Sequence, residues 1–213
     1  MSATDRLFLF AHLRAASGGW QALNDRVSAL LADWPGARRV GSFMGVFGIG
    51  NHELFLLLSL PAATDGAAGL RGRLPADVEL VSALPLAATV RPLTDTPLTR
   101  AGLYVFRFFD VATSDVDEVV KLSNTAWETF EDDNRYASEP MGLFRPADAT
   151  APRGPMLLLT WYDSFNSWEL SRSPHPDATA NFNRRRALSR SVIAYATRPA
   201  DPPDPSRISD TGR

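Results

Sequence analysis

Apolar and polar positions along this chain fall into the same order twice. Residues 6–15 are apolar at both parities, Leu7 and Leu9 on one side and Phe8 and Phe10 on the other. That pattern predicts a strand covered on both faces. Ser17-Gly18-Gly19 then opens a helix whose apolar positions are Trp20, Leu23, Val27, Leu30, Leu31 and Trp34. Their spacing follows the 3.6-residue period, and Pro35-Gly36 ends the stripe. Val40–Phe47 and Glu53–Leu60 read as two strands joined at Gly48-Ile49-Gly50-Asn51, a hairpin signal. A weak Ala- and Gly-rich helix is predicted over Asp65–Arg73, and a last strand over Val78–Arg91, bent near Pro85.

The second pass begins at Leu103–Val111. Ser114 is expected to cap a helix, with Asp117 placed for a capping box. The stripe of that helix is Val116, Val119, Ser123, Ala126, Trp127 and Phe130, the first stripe shifted by 96. Leu7-Phe8-Leu9-Phe10 returns as Leu103-Tyr104-Val105-Phe106 at the same shift of 96. Met44-Gly45-Val46-Phe47 returns as Met141-Gly142-Leu143-Phe144 at 97, and Arg91-Pro92 as Arg198-Pro199 at 107. Pro140–Arg145 and Met156–Tyr162 are the expected hairpin strands. A short helix follows at Phe165–Leu170, a second capped by Asp177 runs to about Arg190, and Ser191–Arg198 is the final strand. One βαββαβ unit used twice is the implication. The expected organisation is a first repeat at 6–93, a linker at 94–101, a second repeat at 102–199 and a disordered tail at 200–213.

A βαββαβ unit forms a four-stranded antiparallel sheet with helices on one face, the ferredoxin-like arrangement. The fold class is therefore α+β. The strands are apolar at both parities, so the face without helices also needs a cover. Leaving it wet would expose many hundreds of Å². At ~25 cal/mol per Å², covering it is worth on the order of 10 kcal/mol. The expected cover is the sibling repeat, sheet facing sheet, giving an α/β barrel; pairing across chains is the alternative.

Composition narrows the function classes. The 213 residues carry a net charge of −2, so no strongly basic face is implied and nucleic acid is not an expected partner. Cysteine is absent, which removes disulfides and thiolate chemistry. No apolar run is long enough to span a bilayer, and the first residues lack the basic-then-apolar pattern of a signal peptide. A cytoplasmic protein, free or homo-oligomeric, is expected.

The segment 41–60, with Gly41-Ser42-Phe43-Met44-Gly45 and Gly50-Asn51-His52-Glu53, resembles the glycine-rich hairpin of NIPSNAP domains. Leu157-Leu158-Leu159-Thr160-Trp161-Tyr162-Asp163-Ser164-Phe165-Asn166-Ser167-Trp168 resembles their step from strand to helix. The chain thus resembles the dimeric α/β barrel superfamily in tandem form, NIPSNAP-like first and antibiotic-biosynthesis-monooxygenase-like second. That resemblance implies a barrel that accepts a small apolar or aromatic molecule. It also implies cofactor-independent oxygenation or isomerisation, or else a non-catalytic association or ligand-storage role. Haem-degrading relatives resemble one another in carrying a histidine ligand on the helix after the third strand. Here that helix reads Ala180-Asn181-Phe182-Asn183-Arg184-Arg185-Arg186-Ala187-Leu188, with no histidine. No cofactor is expected, and no metal, because no two histidines have ligand spacing.

Candidate chemistry rests on few residues. His12 is in phase with Phe8 and Phe10. It is either a general base in an apolar cavity or a strand histidine satisfied by the backbone. Arg107 stands where the first repeat has Ala11. It could hold an anionic or phenolate-like ligand, or pair with a carboxylate such as Glu118. Tyr104, Trp161, Tyr162 and Tyr195 are candidate pocket walls or plain core. His52 and His175 read as loop residues. Arg184-Arg185-Arg186 reads as a solvated basic face that could meet Glu128, Glu131, Asp132 or Asp133.

Overall fold

The structure, a computed structural model, describes residues 6–201. The tail expected over 200–213 lies, from residue 202 on, outside the described residues. The chain is α+β, with two ferredoxin-like repeats. The first supplies β1 (Arg6–Ala15), α1 (Trp20–Ala32), β2 (Arg38–Phe47), β3 (Glu53–Pro61), α2 (Gly66–Arg71) and β4 (Val78–Ala88). The second supplies β5 (Leu103–Ala112), α3 (Val116–Glu131), β6 (Ser138–Pro146), β7 (Arg153–Tyr162), α4 (Phe165–Leu170), α5 (Pro176–Ala187) and β8 (Ser189–Pro199). Two compact units result, and each borrows chain from the other repeat. The first comprises residues up to 86, 94–101 and the chain from 196; the second comprises 87–93 and 102–195.

In the first unit the antiparallel order is β4, β1, β3, β2. The end of β8 then pairs with β2, Met44 opposite Arg198. The central strands β1 and β3 are apolar on both sides because both sides are covered. Leu9, Ala11 and Leu13 meet Leu56, Leu58 and Leu60 on the face where Leu23 and Val27 of α1 pack, and Trp34 and Leu70 close that layer. Phe8, Phe10, Phe43 and Phe55 are buried at the opposite parity. The segment 94–101 is held in this unit, since Leu98 N–H donates to Val40 O at 2.6 Å. Asp95 also lies 3.1 Å from the Arg6 guanidinium.

In the second unit β7 pairs with β5 on one side and β6 on the other. Residues 87–93 bond to β6: Thr89 N–H donates to Leu143 O and Leu143 N–H to Arg91 O, both at 3.0 Å. The helix-covered core contains Phe109, Val111, Val119, Trp127, Leu143, Met156 and Leu158, with Phe182 of α5 packed against it.

Local signals differ from expectation at two helix starts. Ser114 does not cap α3: its hydroxyl donates to Asp115 Oδ1, and a 3₁₀ turn at Thr113–Asp115 leads into the helix. Asp117 is therefore an ordinary first-turn residue rather than half of a capping box. The cap of α5 is His175, two residues earlier than Asp177. Its Nδ1 accepts from Asp177 N–H at 3.3 Å, with Pro176 opening the helix.

The register of the repeat also differs. β2 is bulged at Val40, between Arg39 and Gly41, and β6 at Met141, between Pro140 and Gly142. After each bulge a glycine lies beneath the ring of the residue two further on. A Cβ on Gly41 would sit 2.5 Å from Phe43, and one on Gly142 would sit 2.5 Å from Phe144. Gly41-Ser42-Phe43 is thus the counterpart of Gly142-Leu143-Phe144. The Met-Gly-(Val/Leu)-Phe match at a shift of 97 pairs residues that are not structurally equivalent.

Candidate functional site

The second unit contains a cavity of about 850 Å³ on the helix-covered face of its sheet. Arg107 and Phe109 reach it from β5, and Leu158, Thr160 and Tyr162 from β7. Trp127 and Phe130 of α3, and Phe182, Arg185 and Arg186 of α5, complete the walls, with Arg172 and Arg190 at its edge. The alternation of strand side chains puts Arg107 and Phe109, two apart, on the same face, as it does Leu158, Thr160 and Tyr162.

Arg185 is the unusual wall residue. It is only 9% exposed and has no carboxylate partner among the described residues. Its Nη1 donates to the Ser123 hydroxyl at 3.1 Å, and that hydroxyl donates on to Val119 O at 2.7 Å. Phe109 and Phe182 lie 4.9 and 4.8 Å from the guanidinium carbon, a cation–π arrangement. Burial, with the like charge of Arg107 second, brings the Arg185 pKa down to about 9 from 12.5, leaving it cationic at neutral pH. Arg107 is half-buried, and its Nη2 lies 3.4 Å from the Tyr162 hydroxyl.

The expected site residues divide between faces. Arg107 and Tyr162 line the cavity. Arg107 does not pair with Glu118, which bonds instead to Arg184 at 3.0 Å. Tyr104 and Trp161 stand opposite one another in the β5–β7 ladder, at the parity away from the cavity, and both are buried. Tyr195 meets Phe108 edge to face at 6.1 Å, again off the cavity wall. His12 belongs to the first unit and is not a cavity residue. Its Nε2 lies 3.0 Å from Glu53 Oε2, and it meets Phe55 edge-on at 5.0 Å. A carboxylate only accepts, so this nitrogen carries the proton. Glu53 also accepts from Arg14 at 2.7 Å and from Gly50 N–H at 3.0 Å. Burial opposes the Glu53 charge, but the bonds from Gly50, Arg14 and His12 outweigh it and hold the pKa at about 2.

The arginine triplet is not one solvated face. Arg184 and Arg186 are exposed while Arg185 between them is buried. Two of the acidic groups at the end of α3 are engaged elsewhere, Glu131 with Arg91 at 2.6 Å and Asp133 with Arg135. Sequence reasoning missed Arg185, although its signal was present. Ala178, Phe182 and Arg185 are spaced by four and three, so Arg185 extends an apolar helical stripe.

Histidine, cysteine, methionine and lysine are absent from the cavity wall, as are carboxylates. Of the side chains that ligate haem iron, histidine, cysteine, methionine and tyrosine, the wall carries only Tyr162, whose hydroxyl lies 3.4 Å from Arg107. Among the described residues no cluster of three or more histidine or carboxylate groups could hold a metal ion. Among the same residues no helix is long and apolar enough to cross a membrane.

No family model matches the chain. No curated protein matches it either. Solved structures do. An anthrone oxidase-like protein superimposes with a TM-score of 0.59 at 14% identity, covering 93% of each chain. A ferredoxin-fold protein from Listeria monocytogenes, related to antibiotic biosynthesis monooxygenases, gives 0.53 at 9% identity, over 92% of this chain and 95% of that one. A haem-binding protein from Thermus thermophilus gives 0.57 at 11%, over 93% and 92%. At these identities the likeness is one of fold: the chain shares the ferredoxin-like architecture of these proteins over nearly its whole described length, and the NIPSNAP-like assignment draws no support from them.

Proposed function

We propose that this protein binds a small apolar or aromatic molecule in the cavity of its second unit. The observation that carries this is the cavity itself: about 850 Å³, with Phe109, Trp127, Leu158 and Phe182 beside the polar Thr160 and Tyr162. Its volume and mixture suit a drug-sized ligand. The finer reading is cofactor-independent oxygenation or isomerisation, with Arg107 and Arg185 stabilising an oxygen-centred anion as it develops. The name of one structural neighbour supplies a test substrate, anthrone. Anthrone and dioxygen would give anthraquinone and water, followed by absorbance and oxygen uptake.

A second reading, ligand storage without turnover, is favoured by one feature. The wall carries no histidine, carboxylate or lysine, which leaves Tyr162 as its only side chain of a general acid–base type. Native mass spectrometry of freshly purified protein tests the shared part of both readings. Retention of a small molecule, or thermal stabilisation by added polycyclic aromatics, is expected. A chain that retains nothing and gains no stability from any of them would refute a ligand role. Turnover of anthrone above the rate in buffer then separates enzyme from store.

A further inference from the structure

The cavity wall is cationic with no compensating charge, and we infer that its ligand is an aromatic anion: a flat ring system bearing one carboxylate or an equivalent oxyanion. This rests on the cavity being a small-molecule site, and it adds the chemistry of recognition.

The two repeats supply an internal control. Strand registers align Leu58 and Leu60 of β3 with Thr160 and Tyr162 of β7, and Ala11 with Arg107. The helix stripes align Val27 with Ser123. In the first repeat each of these four residues belongs to the apolar core, and the polar groups of that face, Arg39 with Asn24 and Ser28 of α1, lie at other positions. The same four positions in the second repeat are an arginine, a serine, a threonine and a tyrosine. Three of them, Arg107, Thr160 and Tyr162, line the cavity, and the fourth, Ser123, holds Arg185. A fold that fills these four positions with aliphatic side chains once has placed polar groups at all four the second time. Packing alone gives no reason for that, because each change costs burial energy unless something pairs with the new groups.

Arginine geometry specifies what that partner is. The Arg185 guanidinium carbon lies over the rings of Phe109 and Phe182. Ser123 takes one of its N–H groups. Guanidinium has five N–H donors in one plane, and the rest of those on Arg185 have no protein acceptor among the described residues. Among the described residues Arg107 has only the Tyr162 hydroxyl, at 3.4 Å. Two guanidinium groups on one cavity wall, each with a single hydroxyl acceptor among the described residues, leave N–H donors for an oxyanion. A neutral ligand would leave both charges uncompensated in a partly dry wall. A bare inorganic anion would leave Trp127, Phe109 and Leu158 facing water. An aromatic acid satisfies both halves.

The test is calorimetric titration of the full chain with 2-naphthoate and with its neutral isostere 2-naphthamide, at neutral pH and low salt. Naphthoate is expected to bind at least tenfold more tightly. In Arg185→Met and Arg107→Met, naphthoate should fall to the affinity of naphthamide, while naphthamide is unchanged. Arg185→Met should also keep or raise the melting temperature, since it removes a buried charge that lacks a carboxylate. If Arg185→Met does not fold, the half-buried Arg107→Met carries the same measurement. Equal binding of the two probes overturns the anion inference and leaves the cavity reading standing. Binding of neither overturns both. Sulfate displacing naphthoate at equal concentration would overturn the aromatic requirement.

Discussion

The helix-covered faces of the two repeats share strand order and helix register, yet one is solid and the other hollow. In the first, Leu9, Ala11, Leu13, Leu56, Leu58 and Leu60 fill the space under α1, and the short α2 adds Leu70. In the second, two helices follow β7, and α5 stands beside α3. The wider cover leaves room above the sheet, and Arg107, Thr160 and Tyr162 line that room. The lesson is that a ferredoxin-like unit tolerates a cavity when its sibling copy is dry.

The harshest way to break this division is to give the first face the charge of the second. Ala11 is fully buried in the core it shares with Leu9, Leu13, Leu56 and Leu58. Ala11→Arg should cost about 4 kcal/mol or more, as an unpaired charge in a packed core does. Urea denaturation would show it as loss of the folded baseline or a collapse of the midpoint. A near wild-type midpoint would mean the first face is less dry than it looks.

The two units also differ in how they treat charge away from these faces. Glu53 gathers His12, Arg14 and Gly50 N–H into one closed group, whereas Arg107 and Arg185 have no carboxylate. With its pKa held at about 2 in the fold against an ordinary 4.5, Glu53 binds a proton more readily when unfolded. Its contribution is therefore complete above pH 4.5 and is lost as pH falls towards 2. Wild-type stability should drop steeply across that window, and Glu53→Gln should be less stable at neutral pH but flatter with acid. Parallel acid limbs for the two proteins in pH-stepped urea melts would remove Glu53 from the account.

Much of the fold was legible, because it is written in periodicities that tertiary packing does not override. Leu7–Phe10 and Leu103–Phe106, and the two helix stripes, keep one spacing because strand and helix must meet across a fixed layer. The hairpin match failed for a physical reason. Both strands carry the same bulge, but the second repeat has a longer helix and connection before it, α3 running Val116–Glu131 against Trp20–Ala32 for α1, so Met-Gly-Phe composition repeats at a place where ladder geometry does not. The site was less legible. Arg107 stood out because an arginine interrupts an apolar strand. Arg185 did not, because two exposed arginines flank it and disguise its place on the Ala178–Phe182 stripe. Tyr104 and Trp161 looked like walls because composition does not tell one face of a strand from the other until the register is known.

A gentler exchange sharpens the comparison from the other side. Thr160→Leu restores the residue of the first repeat at a cavity wall. It adds apolar area where there is already space, so overpacking is avoided. A gain of up to about 1 kcal/mol is expected, roughly 2–4 °C in melting temperature for a chain of this size. Destabilisation would show that the Thr160 hydroxyl has a structural role.

The smallest effect should come one residue from the largest anomaly. Arg184 and Arg185 are neighbours on α5, but only the first has a carboxylate, Glu118 at 3.0 Å. That pair is open to water, with side chains 68% and 40% exposed. Solvent screens it, and holding two long side chains together costs rotamer freedom. A double-mutant cycle of Arg184→Ala and Glu118→Ala should therefore give a coupling of only a few tenths of a kcal/mol, and about 1 M salt should erase it. A coupling as large as that of a buried pair would mean α5 is pinned to α3 by its surface charges. In that case the cavity between them would owe its width to the ion pair, and opening it with salt would change ligand affinity as well.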